Sequence, residues 1–362
     1  MVGFIRRGVS LKIEMLSNNA DCSLTEEKKS SNAIDSVPPD LARPIWSVMI
    51  PVYNRTTYLE QAIASVIEQM REYAADRIQI ELIDNCSTNP EIEFLIQRLA
   101  KQHQISFYRQ PQTVSMVENL NTCIRRARGH LIHILHDDDI VLPGFYQYLE
   151  AAFSQEPSIG AAYCRHGHID ENNRQQNYLS SLERSTPGII PNFLNRIAVY
   201  SLIDPPAMVV KRSVYEQLGG FRPELCGACD QEMWRRIAAH YPVWFEPKVL
   251  ACFRVHSRSQ TSAFVRTGNN VVNMRQSVAI THSYLPKSTS DRIAKQAMEE
   301  CALYALRNAF RALSRGDLTA TNAQIREALK CSYSLKVIAT IFLVPFLALA
   351  SSLKRHLEGN GK

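Results

Sequence analysis

The sequence lacks several features of secreted and disulfide-bonded proteins. No apolar run near the N-terminus has the form of a cleavable signal peptide, and the nine cysteines, an odd number, follow no repeated spacing. The pair Cys226 and Cys229 has no second pair at zinc-ribbon distance, so we interpret both as structural cysteines. These absences predict a reducing, cytoplasmic setting.

A large excess of one charge is also missing. The 41 lysines and arginines exceed the 35 acids by 6, which is weak evidence for nucleic acid and somewhat better evidence for an anionic membrane surface. We therefore expect no nucleic-acid partner. With 362 residues, 45% of them hydrophobic and 21% charged, the chain can bury one large core or two modest ones, which excludes a structureless or fibrous protein.

One uncharged run falls just short of a membrane span. It extends from Val337 to Leu353, 17 residues that include Pro345 and are flanked by basic residues. A spanning helix usually needs about 20 apolar residues, so we favour a helix that lies in the membrane interface, with a buried core helix as the alternative. Residues 336–362 are therefore predicted to contact the inner face of the cell membrane peripherally.

The rest of the chain divides by composition. Residues 1–43 are polar and lack apolar periodicity, which predicts a disordered tail. Short apolar runs then alternate with helical periods over residues 44–265, which is typical of an α/β domain with a largely parallel sheet. Residues 266–335 are predicted to be a helical extension, because Asp291 to Cys331 has the pattern of two helices joined by a short turn.

Two strand-and-helix units are predicted at the start of the α/β domain. The apolar run Trp46 to Val52 predicts a buried strand, and Thr57 with Glu60 forms the capping-box pattern of a following helix. The alternating run from Ile78 to Asp84 predicts a second strand, and Pro90 opens a second helix.

Acidic residues follow two of the predicted strands. Asp84 ends the second strand, and the segment 136–139 (HDDD) follows an apolar run at 131–135. Because ligands of open α/β sheets bind outside the carboxyl ends of strands, we expect these acids to meet there. Three adjacent carboxylates repel one another unless a cation or several donors neutralise them, which favours a divalent metal site. The alternative is a solvated acidic turn.

The orientation of these side chains depends on the backbone. If the segment remains extended, Asp137 and Asp139 point to one side while His136 and Asp138 point to the other. One face would then bind the metal and the other a ribose hydroxyl. We accordingly predict Asp137 and Asp139 as metal ligands and Asp138 as a nucleotide ligand.

Seven short segments are each weak as a signal, but together their order and spacing are specific. They are 47–55 (SVMIPVYNR), 83–88 (IDNCST), 119–129 (NLNTCIRRARG), 136–139 (HDDD), 219–221 (GGF), 230–236 (DQEMWRR) and 254–256 (RVH). They resemble the motifs of glycosyltransferase family 2, a family of inverting enzymes. The resemblance covers roughly residues 45–260 and implies the GT-A fold, a Rossmann-like, mixed and mostly parallel sheet flanked by helices.

The resemblance also implies how the donor is bound. Pro51, Tyr53 and Arg55 would line the nucleotide pocket, and Asp84 would accept a hydrogen bond from the imide N–H of a uracil or thymine ring. The expected donor is therefore a UDP- or dTDP-linked sugar. The alternative for Asp84 is a turn-capping role ahead of Ser87.

The expected cofactor is Mn²⁺ or Mg²⁺. The family's metal motif usually ends in two aspartates, which match Asp138 and Asp139, whereas His136 stands where an acid is often found. The division of roles within the triplet therefore stays open, and neutral His136 is itself a candidate ligand. His256 aligns with a histidine that reaches the metal or the diphosphate, and Arg254 is a candidate for binding phosphate charge.

Asp230 matches the position of the family's catalytic base, although Cys229 replaces the acid that usually precedes it. A carboxylate here would take the proton from an acceptor hydroxyl as that hydroxyl attacks the anomeric carbon. The alternative is a helix N-cap. His166 and His168 have ligand-like spacing without matching acids, so we assign them no metal.

The predicted function is transfer of a sugar from a nucleotide diphosphate to a hydroxyl of a glycan or lipid-linked acceptor, in the synthesis of a surface polysaccharide or similar glycan. A nucleotidyltransferase is one alternative, but it would need a glycine-rich basic loop where this chain has 52–56 (VYNRT). A non-catalytic nucleotide- or glycan-binding protein at a membrane is the other, with the acids as remnants.

Overall fold

The structure, a computed structural model, describes residues 32–346 apart from residues 72, 104 and 201. These residues form one compact unit. The predictions for residues 1–31 and 347–362 lie outside the described part of the chain. The strands are β1 (Trp46–Val52), β2 (Ile78–Asp84), β3 (Ser106–Arg109), β4 (Leu131–Ile134), β5 (Ile140–Val141), β6 (Ala161–Ile169), β7 (Gln175–Leu179), β8 (Gly188–Ile189), β9 (Met208–Lys211) and β10 (Val243–Arg254).

Helices alternate with the strands of the sheet and also form the C-terminal part of the described chain. They are α1 (Leu59–Met70), α2 (Pro90–His103), α3 (Met116–Arg126), α4 (Phe145–Gln155), α5 (Phe193–Ile197), α6 (Arg212–Leu218), α7 (Cys229–His240), α8 (Gln260–Thr267), α9 (Asn269–His282), α10 (Ser290–Leu313) and α11 (Leu318–Cys331). Residues 335–346 are also helical.

The strands form one mixed sheet in the order β3-β2-β1-β4-β9-β6-β10-β5, with β7 paired to β6 and β8 to β10. Strands β3, β2, β1 and β4 are all parallel, and β6 is parallel to β10. Strand β9 runs antiparallel between β4 and β6. The predicted mixed α/β sheet flanked by helices, with helices following it, is confirmed.

The register brings the predicted acidic residues to one edge of this sheet. Val52 at the end of β1 is opposite Asp84, and Asp84 is opposite Arg109. Because β4 is parallel to β1, the segment that follows Ile134 leaves the sheet at the same carboxyl edge.

Strand β1 forms with the predicted bounds and lies inside the sheet between β2 and β4. Trp46, Val48, Met49 and Ile50 are all fully buried, as expected for a central parallel strand. The predicted capping box is wrong. Helix α1 has Tyr58 at its N-cap position, with no side-chain capping bond, so the helix begins one residue too late for Thr57 to cap it.

Residues 32–43, which composition predicts to lie in the tail, belong to the folded unit. Ile34 is buried, Asn32 Nδ2 donates to the Gly220 carbonyl at 3.2 Å, and Arg212 donates to the Asp35 carbonyl at 2.9 Å. The apolar residues of 32–43 are separated by polar residues and prolines without a helical or strand period, so the sequence pattern does not reveal this contact.

The C-terminal part contains the predicted helical hairpin, formed by α10 and α11. The helical residues 335–346 then pack with Val337 and Val344 buried, while Leu335, Phe342 and Phe346 are 90%, 70% and 71% exposed. Among the helices in the described part of the chain, none is long and apolar enough to cross a membrane.

Candidate active site

The segment 136–139 forms a turn and is not extended. The Asp139 N–H donates to the His136 carbonyl at 3.2 Å, and the chain enters β5 directly afterwards. The predicted alternation of side chains is therefore wrong, because a turn brings its first and fourth residues together. His136 Nδ1 lies 3.8 Å from Asp139 Oδ2. We call residues 136–139 the acidic turn.

One set of ligand atoms in the acidic turn converges. His136, Asp138 and Asp139 each offer one atom, and these atoms all lie within 4.8 Å of one another. Asp139 is fully buried, and its Oδ2 has no hydrogen-bond partner among the described residues. An unpaired buried carboxylate oxygen is costly. The arrangement therefore fits a divalent cation held by one imidazole and two carboxylates.

Arg55 and His256 contact the carboxylate side chains of the turn. Arg55 Nη1 donates to Asp137 Oδ1 at 2.7 Å and also to Asp138 Oδ2. His256 Nε2 lies 3.0 Å from the same Asp138 oxygen. Of the predicted metal ligands, Asp139 therefore lies in the convergent group, while Asp137 is paired with Arg55 and His256 contacts Asp138.

Burial and these partners separate the three carboxyl groups. Burial raises the pKa of Asp137 to about 8, although the Arg55 charge opposes the shift. Burial and the neighbouring Asp138 charge also hold the pKa of Asp139 well above its usual range. Burial would raise the pKa of Asp138 too, but the hydrogen bond from His256 and the Arg55 charge outweigh it and lower the pKa. Ionisation of Asp137 and Asp139 is therefore disfavoured in the turn as it stands, and a bound cation would favour the ionised forms of these carboxyl groups.

Arg254 supports the turn and is not free to bind phosphate. Its Nε donates to the Asp138 carbonyl at 2.7 Å, and its Nη atoms donate to the Asp170 carbonyl, Asn173 and Gln61. The guanidinium also lies over the Tyr58 ring at 4.3 Å. The side chain is fully buried, so its donors are used within the protein and the suggested phosphate contact is not available.

The loop after β1 lies beside the acidic turn. Pro51 is half-buried within β1, and Tyr53 is 47% exposed. The adjacent Asn54 has φ 52°, and its side-chain oxygen accepts from the backbone N–H of Thr88 at 2.8 Å. The loop after β1 is therefore hydrogen-bonded to the loop after β2. It places Tyr53 and Arg55 at the carboxyl edge.

Asp84 is fully buried and makes the turn-capping contacts that we considered as the alternative. Its carboxylate accepts from the Ser87 N–H at 3.2 Å and from the Ser87 hydroxyl at 2.5 Å. Arg109 Nη1 lies 3.4 Å from the other carboxylate oxygen. Recognition of a nucleobase by Asp84 stays a prediction.

Asp230 is the second residue of α7. The N-cap position belongs to Ala228, with no side-chain capping bond, so the N-cap alternative is not what the structure contains. Burial raises the pKa of Asp230 to about 6; the nearby Asp204 charge adds to the shift, and a hydrogen bond from a backbone N–H opposes it. A carboxyl group with this pKa is ionised at neutral pH and basic enough to accept a proton.

Asp204 is a further residue of the site that no sequence pattern indicates. This residue precedes Pro205 in a segment without regular structure, and its Oδ2 lies 3.2 Å from His166 Nε2 and 2.8 Å from His168 Nε2. Asp204 is therefore the acid that the two histidines lacked in the sequence pattern. Its charge raises the pKa of both Asp139 and Asp230, so Asp204 interacts electrostatically with each of these two acids.

A cavity of about 530 Å³ lies at the opposite, amino edge of the strands, beside Gln79, Glu81 and Arg128. Its acid Glu81 is already paired with Arg126 at 2.6 Å. The convergent acids are at the carboxyl edge, so we assign the candidate site there despite this cavity.

Known proteins are similar to this chain in the segments that form the carboxyl edge of the sheet. The profile described as "Glycosyl transferase family 2" matches residues 47–219, which include the loop after β1 and the acidic turn. Residues 47–219 are therefore similar to glycosyl transferase family 2. The match to family 2 ends before Asp230 and His256, so it does not test their roles.

Similar proteins extend the likeness beyond that match. An uncharacterised protein of Mycobacterium tuberculosis is 26% identical over 256 residues, 68% of this chain and 77% of the relative. TarS 1–349 of S. aureus, in complex with UDP-GlcNAc, is 16% identical with a TM-score of 0.59 and covers 85% of this chain and 88% of its own.

A second solved structure is the mannosyltransferase PcManGT of Pyrobaculum calidifontis, in complex with GDP-Man and Mn²⁺. It is 19% identical, has a TM-score of 0.50, and covers 83% of this chain and 89% of its own. At such identities the likeness establishes the fold alone. The predicted GT-A fold is thereby confirmed, and the family match over residues 47–219 supports glycosyl transfer as the activity.

Proposed function

We propose that this chain is an inverting, metal-dependent glycosyltransferase. It would move a sugar from a UDP- or dTDP-linked donor to a hydroxyl of a glycan or lipid-linked acceptor during polysaccharide synthesis. The observation that carries the proposal is the convergence of His136, Asp138 and Asp139 around a buried, unpaired Asp139 oxygen at the carboxyl edge. The relatives' complexes with UDP-GlcNAc, and with GDP-Man and Mn²⁺, support the donor class and the cofactor.

In this proposal the donor diphosphate lies against the acidic turn. Mn²⁺ or Mg²⁺ bound by His136, Asp138 and Asp139 would stabilise the charge of the departing diphosphate by several kcal/mol. Arg55 pairs with Asp137, the remaining acid of the turn, and Tyr53 and Pro51 flank the nucleotide. Asp137 and His256 surround the ligand group, and their own ligation stays open.

Asp230 acts as the base. Its carboxylate takes the proton of the acceptor hydroxyl while the hydroxyl oxygen forms a bond to the anomeric carbon. The bond from that carbon to the diphosphate oxygen breaks on the opposite side, and the diphosphate leaves with the electron pair. One in-line displacement inverts the anomeric configuration, and a positioned base contributes about 10²–10⁴ in rate.

The chain is divided in this proposal into a catalytic domain at 44–265, a helical extension at 266–335 and a membrane-contacting segment at 336–362. The exposed side chains of Phe342 and Phe346 support the last part, because such a face favours a membrane interface. The site of action is then the cytoplasmic face of the membrane.

A panel of nucleotide sugars with Mn²⁺ or Mg²⁺ tests the function. The wild-type protein is expected to release nucleotide from at least one donor only with metal, and Asp230→Asn is expected to abolish release while still binding the nucleotide. Donor binding without turnover by the wild type, over a panel of acceptors, would instead favour the non-catalytic binding protein.

A further inference from the structure

A side-chain cluster next to the proposed base has no role in the mechanism above. His166 and His168 are two residues apart on β6, so both point to the same face of the sheet. Their Nε2 atoms lie on one oxygen of Asp204, at 3.2 and 2.8 Å. No hydrogen bond to the other oxygen, Oδ1, is found among the described residues, and the side chain is 29% exposed.

Burial would raise the pKa of Asp204, but the hydrogen bonds from His166 and His168 outweigh it and lower the pKa. The carboxylate is therefore ionised and fixed in one orientation, with an oxygen free to accept a hydrogen bond.

The register brings this cluster to the carboxyl edge. In β9, Val209 pairs with His133 of β4 and Met208 pairs with Tyr163 of β6, both antiparallel. The residues before Met208 therefore lie beyond the carboxyl end of β4, where the acidic turn begins. The influence of the Asp204 charge on the pKa of both Asp139 and Asp230 agrees with this position.

An aromatic ring completes the cluster. Tyr178 lies on β7, which pairs with β6, and its ring stacks on the His168 ring with centroids 3.8 Å apart and planes 23° apart. Tyr178 is 39% exposed. One face of the tyrosine is thus covered by the imidazole, and the rest of the ring is accessible beside the Asp204 carboxylate.

Tyr178 and Asp204 together suit the apolar face and the polar rim of a sugar ring. A pyranose ring presents C–H groups on its face, which pack on an aromatic ring, and hydroxyl groups around its rim, which donate to a carboxylate. A pocket with one apolar surface and a few fixed polar groups is a typical small-molecule site.

We propose that Tyr178 and Asp204 form the acceptor subsite, which binds a pyranose ring of a saccharide acceptor beside Asp230. The ring lies on Tyr178, and one of its hydroxyls donates to Asp204 Oδ1. This inference rests on the proposed function and specifies its acceptor, because a lipid without a sugar would not use these groups.

The test measures binding and not turnover. The full chain, with UDP and Mn²⁺, is applied to an array of defined glycans, and the affinity for each bound glycan is measured by calorimetry. The wild type is expected to bind a restricted set. Tyr178→Ala is expected to weaken that binding by about tenfold, the loss of one stacking contact, whereas Tyr178→Phe retains it. Asp204→Asn should weaken it as well.

Phe94→Ala is the matched control, because Phe94 is an aromatic residue of α2 that is 73% exposed. It should bind glycans like the wild type. The UDP affinity of Tyr178→Ala should also equal that of the wild type, since the subsite does not contact the nucleotide.

Three results would overturn the inference: wild-type affinity in Tyr178→Ala, no glycan bound by the wild type, or a divalent cation held by His166, His168 and Asp204 that blocks the subsite. Failure of the proposed function has a different signature. If UDP and other nucleotides do not bind but glycans bind in a Tyr178-dependent way, the donor site is refuted and the acceptor subsite stands.

Discussion

The backbone N–H of Arg254 donates to Asp139 Oδ1 at 2.8 Å. Together with the bond from Arg254 Nε to the Asp138 carbonyl, this contact fixes the acidic turn against the end of β10. The last strand of the sheet therefore sets the position of groups that follow β4, more than a hundred residues earlier in the chain. A residue that the motif suggested for phosphate binding instead supports the proposed metal site.

Arg254→Lys is expected to destabilise the protein. A lysine cannot make the separate Nε and Nη contacts, and each buried hydrogen bond from a charged group contributes about 1.5–3 kcal/mol. Urea unfolding should show a loss of at least that size, and Mn²⁺ affinity should fall with it. Arg258→Lys is the control, since Arg258 is exposed. Equal stability of the two variants would contradict the supporting role.

The activity is expected to depend on the ionisation of Asp230. Because burial raises the pKa of Asp230 to about 6 and the base must be ionised, kcat/KM should fall about tenfold per pH unit below that value. The measurement is a pH–rate profile between pH 4.5 and 8 with saturating metal. A rate that stays constant from pH 7 down to pH 5 would rule out Asp230 as the base.

The same group should reduce stability at neutral pH. Its folded pKa is raised above the unfolded value, so the folded state binds more protons and stability is lost as pH rises through about 6. Asp230→Asn cannot ionise, and it should therefore be more stable than the wild type by up to about 3 kcal/mol at pH 7.5 and by less at pH 4.5.

Denaturant unfolding at the two pH values measures this difference. Asp291→Asn serves as the control, because the Asp291 side chain is 95% exposed and an exposed ion pair contributes little. A destabilised Asp230→Asn at pH 7.5 would show that the carboxylate is satisfied in the folded protein.

The exposed face of residues 335–346 is expected to bind lipid. Phe342→Ser combined with Phe346→Ser should reduce co-sedimentation of the full chain with phosphatidylglycerol vesicles by about tenfold or more, because two apolar side chains no longer enter the interface. Phe94→Ser should sediment like the wild type. Vesicle binding that does not change in the double variant would remove the support for membrane contact.

Local sequence patterns predicted the buried parallel strands of the sheet. Trp46–Val52 and Ile78–Asp84 are strands with the predicted bounds, because buried parallel strands are apolar and end at polar residues. Val243–Arg254 is a single strand with irregular register between Glu246 and Val249. Lys248 and Pro247 interrupt the apolar pattern without ending the pairing.

The candidate site was predictable only in part, since motif order identified the acidic turn, Arg55 and Asp230 but not their contacts. The turn at 136–139 depends on where β5 pairs with β10, and Arg254 is bound by groups from three separate segments. Asp204 had no signal at all, because a lone acid before two prolines has the pattern of an ordinary loop, and its histidine partners lie about 36 residues away.

The proposed metal site is tested most directly by locating the bound cation. Crystals of the protein grown with UDP and MnCl₂ would be measured for manganese anomalous scattering. We expect one strong peak ligated by His136, Asp138 and Asp139 and in contact with the diphosphate. A diphosphate bound without a manganese peak there, or with the peak at other residues, would contradict it.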